Sequence, residues 1–222
     1  MKIIAIVQAR ISSTRLPGKV LADIEGKSML QHVLERLKRA SLLDEVVVAI
    51  AQGKSNFPLL NFCLKMKYNH YYGSENDVLR RYYQTAFYHN ADVIVRITAD
   101  CPCIDPHVVN MTIQYYLENS FDYVTFGDIR NPDVPDYPDG FDVEVFSFGT
   151  LENAYNHSLE REHVGKYMLQ NCSYDFVPFV SELSRKVSVD TEEDLKLVKE
   201  VFAKLGNELT IWDVVDFLNR RE

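Results

Sequence analysis

Continuous apolar runs constrain the fold of this chain more than any other feature of its sequence. Residues 3–7 and 46–51 are almost wholly apolar, and residues 92–97 form a third such run around one arginine. Runs of this kind are typical of parallel strands whose two faces are both buried. Between the first two runs, residues 28–40 place apolar side chains at helical spacing behind a serine suited to capping. The sequence therefore predicts a β-α-β unit over residues 3–51 and an α/β fold.

The alternation of strands and helices continues through most of the remaining sequence. A loop is predicted over residues 127–140, which are rich in Pro, Asp and Gly. Residues 127–170 leave the β-α rhythm and are interpreted as an insertion, used for acceptor binding or dimerisation, within one domain over residues 1–222. Helices are predicted over 59–66, 78–87, 107–118, 149–157, 160–170, 191–204 and 210–220, and strands over 68–72, 92–97, 123–126, 141–148 and 187–189.

Composition narrows the class of protein. The chain has 46% hydrophobic and 25% charged residues, which is typical of a globular protein. Its net charge of −8 argues against a general nucleic-acid binder, which needs a basic face. No stretch resembles a membrane span or a cleaved leader, so we expect no membrane partner and a cytoplasmic location. The four cysteines form no C-x-x-C pair, so they are expected to be reduced thiols without structural zinc.

A basic loop follows the first apolar run and reverses the overall charge locally. Within ten residues the loop contains three cations, Arg10, Arg15 and Lys19. Small hydroxyl side chains separate the first two, and Pro17 and Gly18 precede the third. Ligands of α/β proteins bind in the loops that leave the carboxyl ends of parallel strands. A turn of small residues can also direct backbone N–H groups at a polyanion. This stretch predicts a phosphate-chain site, and the alternative is a solvated, mildly basic surface loop.

Two aspartates follow predicted strands and would meet the basic loop at one sheet edge. Asp100 comes after the run at 92–97, and Asp190 comes after residues 187–189. Two carboxylates beside a triphosphate suffice for Mg²⁺, which keeps waters and phosphate oxygens as its other ligands. Each aspartate has a simpler alternative, since Asp100 can end a strand in a turn and Asp190 can cap the next helix. His163 on its own reads as a helix-face residue, and the Cys101–Cys103 pair receives no role.

Six motifs together carry a resemblance to a known family. The first, Gln8-Ala9-Arg10-x-x-Ser13-Thr14-Arg15-Leu16-Pro17-Gly18-Lys19, resembles the opening of the cytidylyltransferases that make CMP-activated acidic sugars. These are the CMP-sialate and CMP-Kdo synthetases, and the likeness is greatest to their spore-coat-polysaccharide branch. The resemblance spans nearly the whole chain and departs from the family at Ala99 and Cys103. The later motifs lie at residues 73–82, 95–102, 139–145, 161–164 and 189–195.

The resemblance implies a nucleotide-diphospho-sugar-transferase-like fold, with a mixed, mostly parallel sheet flanked by helices. It implies catalytic roles for Arg10, Lys19 and Asp100, and metal binding by Asp100 and Asp190, so that Asp190 serves as both cap and ligand. We assign acceptor binding to Asp142, Glu144 and His163. The residues assigned to the nucleotide are Ala9, Arg10, Ser13, Arg15, Lys19, Gly73, Ser74, Asp77 and Arg80.

The expected function is Mg²⁺-dependent transfer of CMP from CTP to an acidic sugar or related acceptor, by a homodimer. One alternative is a glycosyltransferase that uses a nucleotide sugar, although the Asp-x-Asp motif usual in that class is absent at residues 98–102. A second alternative is a nucleotide-binding module without turnover. The presence of Arg10, Lys19, Asp100 and Asp190 argues against it.

Overall fold

The computed structural model describes residues 1–127, 139–179 and 186–220. Within them, one sheet of seven strands has the order β5-β4-β1-β6-β8-β7-β9, and a two-stranded hairpin, β2-β3, lies apart from it. The strands are β1 (Ile3–Ala9), β2 (Asp23–Ile24), β3 (Lys27–Ser28), β4 (Glu45–Ala51), β5 (His70–Gly73), β6 (Val93–Thr98), β7 (Tyr123–Phe126), β8 (Glu144–Ser147) and β9 (Tyr174–Val177).

The large sheet is mostly parallel, as the apolar runs predict. Strands β5, β4, β1 and β6 are parallel neighbours, and β7 is parallel to β9. Only β8 runs against its neighbours, β6 and β7. The carboxyl ends of β1 and β6 therefore lie side by side, with Gln8 opposite Thr98 in the register. The expected single-domain α/β fold is confirmed.

Helices cover both faces of the sheet because the central strands are apolar on both sides. One face, which carries Ala5, Val7 and Val95, packs against α1, α2, α4, α7 and α8. The other face, with Ile4, Ile6 and Ile94, packs against α3, α5 and α6. The helices are α1 (Met29–Leu37), α2 (Phe57–Met66), α3 (Val78–Tyr88), α4 (Pro106–Glu118), α5 (Phe148–His157), α6 (Lys166–Asn171), α7 (Glu192–Leu205) and α8 (Ile211–Asn219).

A buried arginine ties α1 to two distant loops. The Arg36 side chain is fully buried, and its guanidinium donates to the carbonyl oxygens of Ile104 (2.7 Å), Asn207 (2.6 Å) and Leu209 (2.6 Å), with a longer contact to Cys103 (3.4 Å). Burial lowers the pKa of Arg36 to about 10, which leaves it charged at neutral pH. The segment just after Asp100 is thereby held against α1.

Several predicted elements in the second half of the chain are wrong in extent. The helix expected over 160–170 is helical only at Lys166–Asn171, and the strand expected over 141–148 is reduced to Glu144–Ser147. Residues 187–189 form no strand, although they are held by backbone hydrogen bonds to Asp139 and Asp100. Strands β2, β3 and β9 were not predicted. Most of the loop expected over 127–140 lies outside the described residues.

All four cysteines are free thiols, as expected. Among residues 1–127, 139–179 and 186–220, no helix has the length and apolar character needed to cross a membrane.

Candidate active site

The basic loop folds back on itself directly after β1. The carbonyl of Ile11 accepts from the backbone N–H groups of Ser13 (2.8 Å) and Gly18 (3.0 Å). Buried Asn56 fixes the loop from the neighbouring chain segment, since its Oδ1 accepts from the N–H of Ile11 at 2.7 Å. Gly18 has a φ of +76°, a left-handed conformation that favours glycine, and it leads into a short 3₁₀ turn, Lys19–Leu21. This turn directs Lys19 inward.

Lys19 joins the loop to both predicted metal ligands. Its Nζ lies 2.9 Å from Asp100 Oδ2, 2.9 Å from Asp190 Oδ1 and 2.6 Å from the carbonyl oxygen of Val189. The residue is only 8% exposed, so its charge is held in place by these three oxygens. Two carboxylates that contact one ammonium nitrogen are close enough to share one cation. The expected meeting of Asp100, Asp190 and the basic loop is therefore observed.

Asp190 reaches this position without belonging to a strand. The N–H of Val189 donates to the carbonyl of Asp100 at 2.8 Å, which places residue 190 beside the end of β6. The N-cap of α7 is Thr191, which forms a capping box with Asp194, so Asp190 does not cap the helix. The prediction that Asp190 serves as the cap is wrong, and its carboxylate faces Lys19, Arg15 and Lys186 instead.

These cations determine the ionisation of Asp190. Burial raises its pKa, but the hydrogen bonds and charges of Lys186 and Lys19 lower it to about 2, from an ordinary value of 3.8. A carboxylate whose pKa is depressed in the folded state stabilises the fold above its unfolded pKa. The contribution of Asp190 to stability is therefore complete above about pH 4 and is lost as the pH falls towards 2.

The two cysteines that follow Asp100, Cys101 and Cys103, are unreactive thiols. Cys101 and Cys103 are both buried, and burial raises the pKa of Cys103 to about 12. Burial, together with the charges of Asp100 and Asp142, raises the pKa of Cys101 well above its ordinary value. Since the thiolate is the reactive form of cysteine, both groups are inert as nucleophiles at neutral pH.

A cleft opens at the carboxyl ends of β1 and β6, between the basic loop and a second wall. Its lining includes Ala9 and Thr98 at those strand ends, together with Lys19 and Asp190. Of the residues that form the second wall, only His163 was predicted to belong to the site. The polar side chains of this wall come from β1, α3, β6 and the segment before α6, and they are Gln8, Arg81, Arg96, Glu162 and His163.

Arg81 is the buried cation of the second wall. It is only 2% exposed. Its Nη1 donates to the carbonyl of Ser74, and within the described part of the chain its Nε has no hydrogen-bond partner. Burial lowers the pKa of Arg81, and the nearby charge of Arg10 lowers it further. The helical spacing of Arg81 from Val78 and Thr85, which are also buried, was the signal that could have revealed it.

Arg96 is held by a cross-strand ion pair. It lies opposite Glu144 in the register of β6 and β8, and its Nη1 donates to Glu144 Oε1. The hydroxyl of Tyr123 donates to the other carboxylate oxygen, Oε2, at 2.7 Å. Burial alone would lower the pKa of Arg96, but Glu144 raises it above the ordinary value. A charged residue inside an apolar strand was the sequence signal for this site.

The remaining predicted residues differ in how they relate to the cleft. Arg10, Ser13 and Arg15 line it, as does His163, which lies in a loop rather than on a helix face as predicted. Asp142 does not line it and accepts from the backbone N–H of Gly140 at 3.2 Å. The other residues that do not line it are Glu144, which faces Arg96, and Gly73, Ser74, Asp77 and Arg80, around the start of α3.

Asp77 has a structural role, because it caps α3 and forms an ion pair with Arg161. Its side chain caps α3 by accepting from the N–H of Arg80 at 2.7 Å. Its second oxygen accepts two hydrogen bonds from the guanidinium of Arg161, at 3.0 and 2.9 Å. Arg161 in turn precedes Glu162 and His163, so this ion pair joins the start of α3 to the second wall of the cleft. Nucleotide binding by residues 73–80 stays a prediction.

Comparison with known proteins identifies the family. The model of the cytidylyltransferase family matches residues 4–136, which include the basic loop, β6 and Asp100. The chain belongs to the cytidylyltransferase family. The cleft of this family member is formed largely by the matched residues, whereas Asp190 and the segment with Glu162 and His163 lie beyond them.

Similar proteins support the same assignment along the whole chain. The chain is 26% identical to the spore coat polysaccharide biosynthesis protein SpsF of Bacillus subtilis, over 98% of this chain and 94% of that protein. It is 38% identical to the 3-deoxy-manno-octulosonate cytidylyltransferase of Pelobacter propionicus, over 54% of this chain and 46% of that enzyme. A solved cytidylyltransferase structure from Leptospira borgpetersenii matches with a TM-score of 0.91 and 28% identity, over 100% of this chain and 95% of that one.

Proposed function

We propose that this protein transfers CMP from CTP to an acidic sugar, with release of pyrophosphate, in the synthesis of a surface polysaccharide or glycan. The observation that carries the proposal is the contact of Lys19 with both Asp100 and Asp190, in a cleft that the basic loop also lines. Membership of the cytidylyltransferase family supports the nucleotide. The names of the relatives from B. subtilis and P. propionicus support the acceptor class and the pathway.

In the proposed reaction, an acceptor oxygen forms a bond to the α-phosphorus of CTP. The bond between that phosphorus and the β-phosphate oxygen breaks, pyrophosphate leaves, and the acceptor hydroxyl proton passes to solvent. Arg10 and Lys19 stabilise the charge that develops on the leaving group, and Arg15 and Ser13 bind the phosphate chain. Fixed cations of this kind act mainly by positioning and by electrostatic stabilisation.

Asp100 and Asp190 fit a divalent cation in the same cleft. Both are carboxylates within 2.9 Å of one nitrogen, and Asp190 is ionised throughout the neutral range because its pKa is about 2. Mg²⁺ commonly binds through one or two carboxylates together with substrate phosphates. We therefore propose these two residues as its protein ligands. When bound, the ion would neutralise phosphate charge during transfer.

The nucleotide is tested by thermal denaturation with each of the four nucleoside triphosphates and Mg²⁺, followed by a pyrophosphate-release assay. We expect CTP to raise the melting temperature most, because at equal concentration the ligand that binds the folded state most tightly stabilises it most. Pyrophosphate should then appear only when CTP and an acidic sugar are both present. Equal stabilisation by ATP or GTP, or release without dependence on the acceptor, would contradict the proposal.

Replacing Lys19 with alanine is expected to weaken both CTP binding and turnover. The substitution removes a cation from the phosphate site and leaves two carboxylates facing each other, so we expect a loss of about 30-fold in CTP affinity, as for one charged hydrogen-bonded contact. Isothermal titration with CTP measures this loss of affinity. Lys199→Ala, which removes an exposed lysine of α7, is the control, and equal affinities in the two variants would remove Lys19 from the site.

We further propose that the protein is a homodimer, as expected for the insertion at 127–170. Two large apolar side chains of that insertion, Phe141 and Phe146, are fully buried within the monomer and cannot form the interface. Large apolar side chains that are exposed instead include Leu159 in the insertion, at 98% exposure, and Phe87 and Tyr88, at 58% and 65%, in α3, which packs against α5. Light scattering at micromolar concentration is expected to give twice the chain mass of 25.7 kDa. A monomer mass would refute this.

A further inference from the structure

A row of polar side chains crosses an otherwise apolar face of the central sheet. Gln8, Arg96 and Glu144 come from the adjacent strands β1, β6 and β8. The same face carries Ile6 and Ile94, which are fully buried against α3, α5 and α6. Placing an ion pair on such a face is expensive, and apolar side chains of similar size would often stabilise a fold as well. The row therefore calls for a functional explanation.

The guanidinium of Arg96 does not use all of its N–H donors in hydrogen bonds within the protein. One N–H donates to Glu144, and Nη2 reaches Gln8 Oε1 only at the long distance of 3.5 Å. The Nε of Arg96 is a buried atom without a hydrogen-bond partner within the described ranges, so the N–H donors left for a ligand are those of Nη1 and Nη2. Both Arg96 and Gln8 line the cleft. Arg96 can therefore bind an anion there without giving up its contact with Glu144.

Glu144 is arranged to hold Arg96 rather than to touch a ligand. Its two oxygens already accept from Arg96 and from the hydroxyl of Tyr123, and it does not line the cleft. Gly165 packs on the same pair, since a Cβ there would lie 2.4 Å from Tyr123 Oη and 2.7 Å from Glu144 Oε2. Because Gly165 follows His163 by two residues, the pair also supports the loop that forms the second wall.

The charge of this site suits a single carboxylate. The basic loop places Arg10, Arg15 and Lys19 in the lining of the cleft, and three cations suit a polyphosphate. The charge of Arg96 is partly balanced by Glu144, and a planar guanidinium matches a carboxylate in two parallel hydrogen bonds. Arg96 precedes Asp100 by four residues, a span of at most about 14 Å. One sugar acid could thus contact Arg96 within the same cleft.

We propose that Arg96, with Gln8 beside it, binds the carboxylate of the acceptor, and that Glu144 and Tyr123 are positioning residues that orient its guanidinium. This inference rests on the proposed function and adds to it a specificity-determining residue. It also changes the expected role of Glu144, from direct acceptor binding to support of Arg96.

The test separates acceptor binding from nucleotide binding. Pyrophosphate release is measured with 3-deoxy-manno-octulosonate, or with the most active acid of a panel, and with the carboxamide of the same acid. CTP affinity is measured by titration. For Arg96→Gln we expect the acceptor KM to rise about 100-fold, as for a lost charged contact, with kcat and CTP affinity within about threefold. The preference for the acid over its carboxamide should fall by a similar factor.

Three further variants complete the design. Glu144→Gln should raise the acceptor KM about tenfold, because the guanidinium remains but is less well oriented. Arg96→Lys keeps a cation beside Glu144 and should also raise it about tenfold, so it carries the test if Arg96→Gln does not fold. Arg220→Gln removes an exposed arginine at the end of α8 and should change nothing.

The possible failures are distinguishable. If wild type releases pyrophosphate but the acceptor KM of Arg96→Gln and Arg96→Lys stays within threefold of wild type, the inference is overturned and the proposed function stands. A parallel loss of CTP affinity and acceptor affinity would also overturn it, since that pattern indicates a structural role. If wild type turns over CTP with no acid of the panel, the proposed function fails, and the assignment of Arg96 fails with it.

Discussion

Replacing Asp100 or Asp190 with asparagine is expected to reduce turnover by about 1,000-fold while leaving the fold intact. Each substitution removes one negative charge from a site that must balance a divalent cation and a triphosphate, and such metal contacts are worth several kcal/mol in the transition state. Both side chains now contact Lys19 at 2.9 Å, and an amide oxygen can keep that hydrogen bond. Circular dichroism and melting temperature should therefore change little.

The measurement is pyrophosphate release over a range of Mg²⁺ concentrations, with Asp213→Asn as the matched control. Asp213 occupies the third position of the α8 capping box, which is the position that Asp194 occupies in α7. Asp213→Asn removes the same negative charge, but at the start of a helix that does not line the cleft. Near-normal turnover of Asp190→Asn at low Mg²⁺ would exclude Asp190 as a ligand, and the same result for Asp100→Asn would exclude the metal site proposed here.

Arg36→Met is expected to lower the free energy of unfolding by about 4 kcal/mol. The substitution keeps much of the side-chain volume but leaves the carbonyls of Ile104 and Leu209 without this donor in a buried site. The carbonyl of Asn207, by contrast, keeps its hydrogen bond from Arg39. An unsatisfied buried polar group costs about 1–3 kcal/mol, so two of them, together with the lost bond to Asn207, exceed any gain in apolar burial. This loss is a large fraction of the stability of an ordinary domain.

Urea unfolding followed by circular dichroism measures the free energy of unfolding of Arg36→Met and of the wild type, with Arg39→Met as the control. Arg39 lies one helical turn further on, donates to the same Asn207 carbonyl at 3.0 Å and is partly exposed. Its replacement should cost less than about 1 kcal/mol, as for an exposed ion pair. Similar losses for the two variants would show that the buried network around Arg36 is not the source of its effect.

The first half of the fold could be predicted closely because its signals are local. The apolar runs predicted β1, β4 and β6, and Ser28 was correctly expected to cap α1. In the second half, Val187 to Val189 have the composition of a strand, but the structure leaves them beside the sheet, hydrogen-bonded to Asp139 and Asp100. The composition of a segment can predict that the segment is buried, but it cannot predict which backbone groups will be its hydrogen-bond partners.

The candidate site divides in the same way. Arg10, Lys19 and Asp100 were predicted because the cations are close together in sequence and Asp100 follows an apolar strand, and the structure places all three at the cleft. Arg81 and Arg96 were not predicted, because their place depends on which face of α3 and β6 turns towards the cleft. Periodicity shows that such faces exist, but only packing shows what each face meets.

The sequence by itself determined the α/β class, the basic loop, the aspartate at the end of β6 and the resemblance that implies cytidylyl transfer. These features depend on neighbours in the chain, where strand composition, turn residues and motif spacing act directly. Only the tertiary structure decided that Lys19 contacts two carboxylates 81 and 171 residues away, and that Glu144 faces Arg96 rather than the cleft. Contacts between distant residues follow from the register of β6 with β8 and from the loops that the sheet brings together, and no local pattern encodes them.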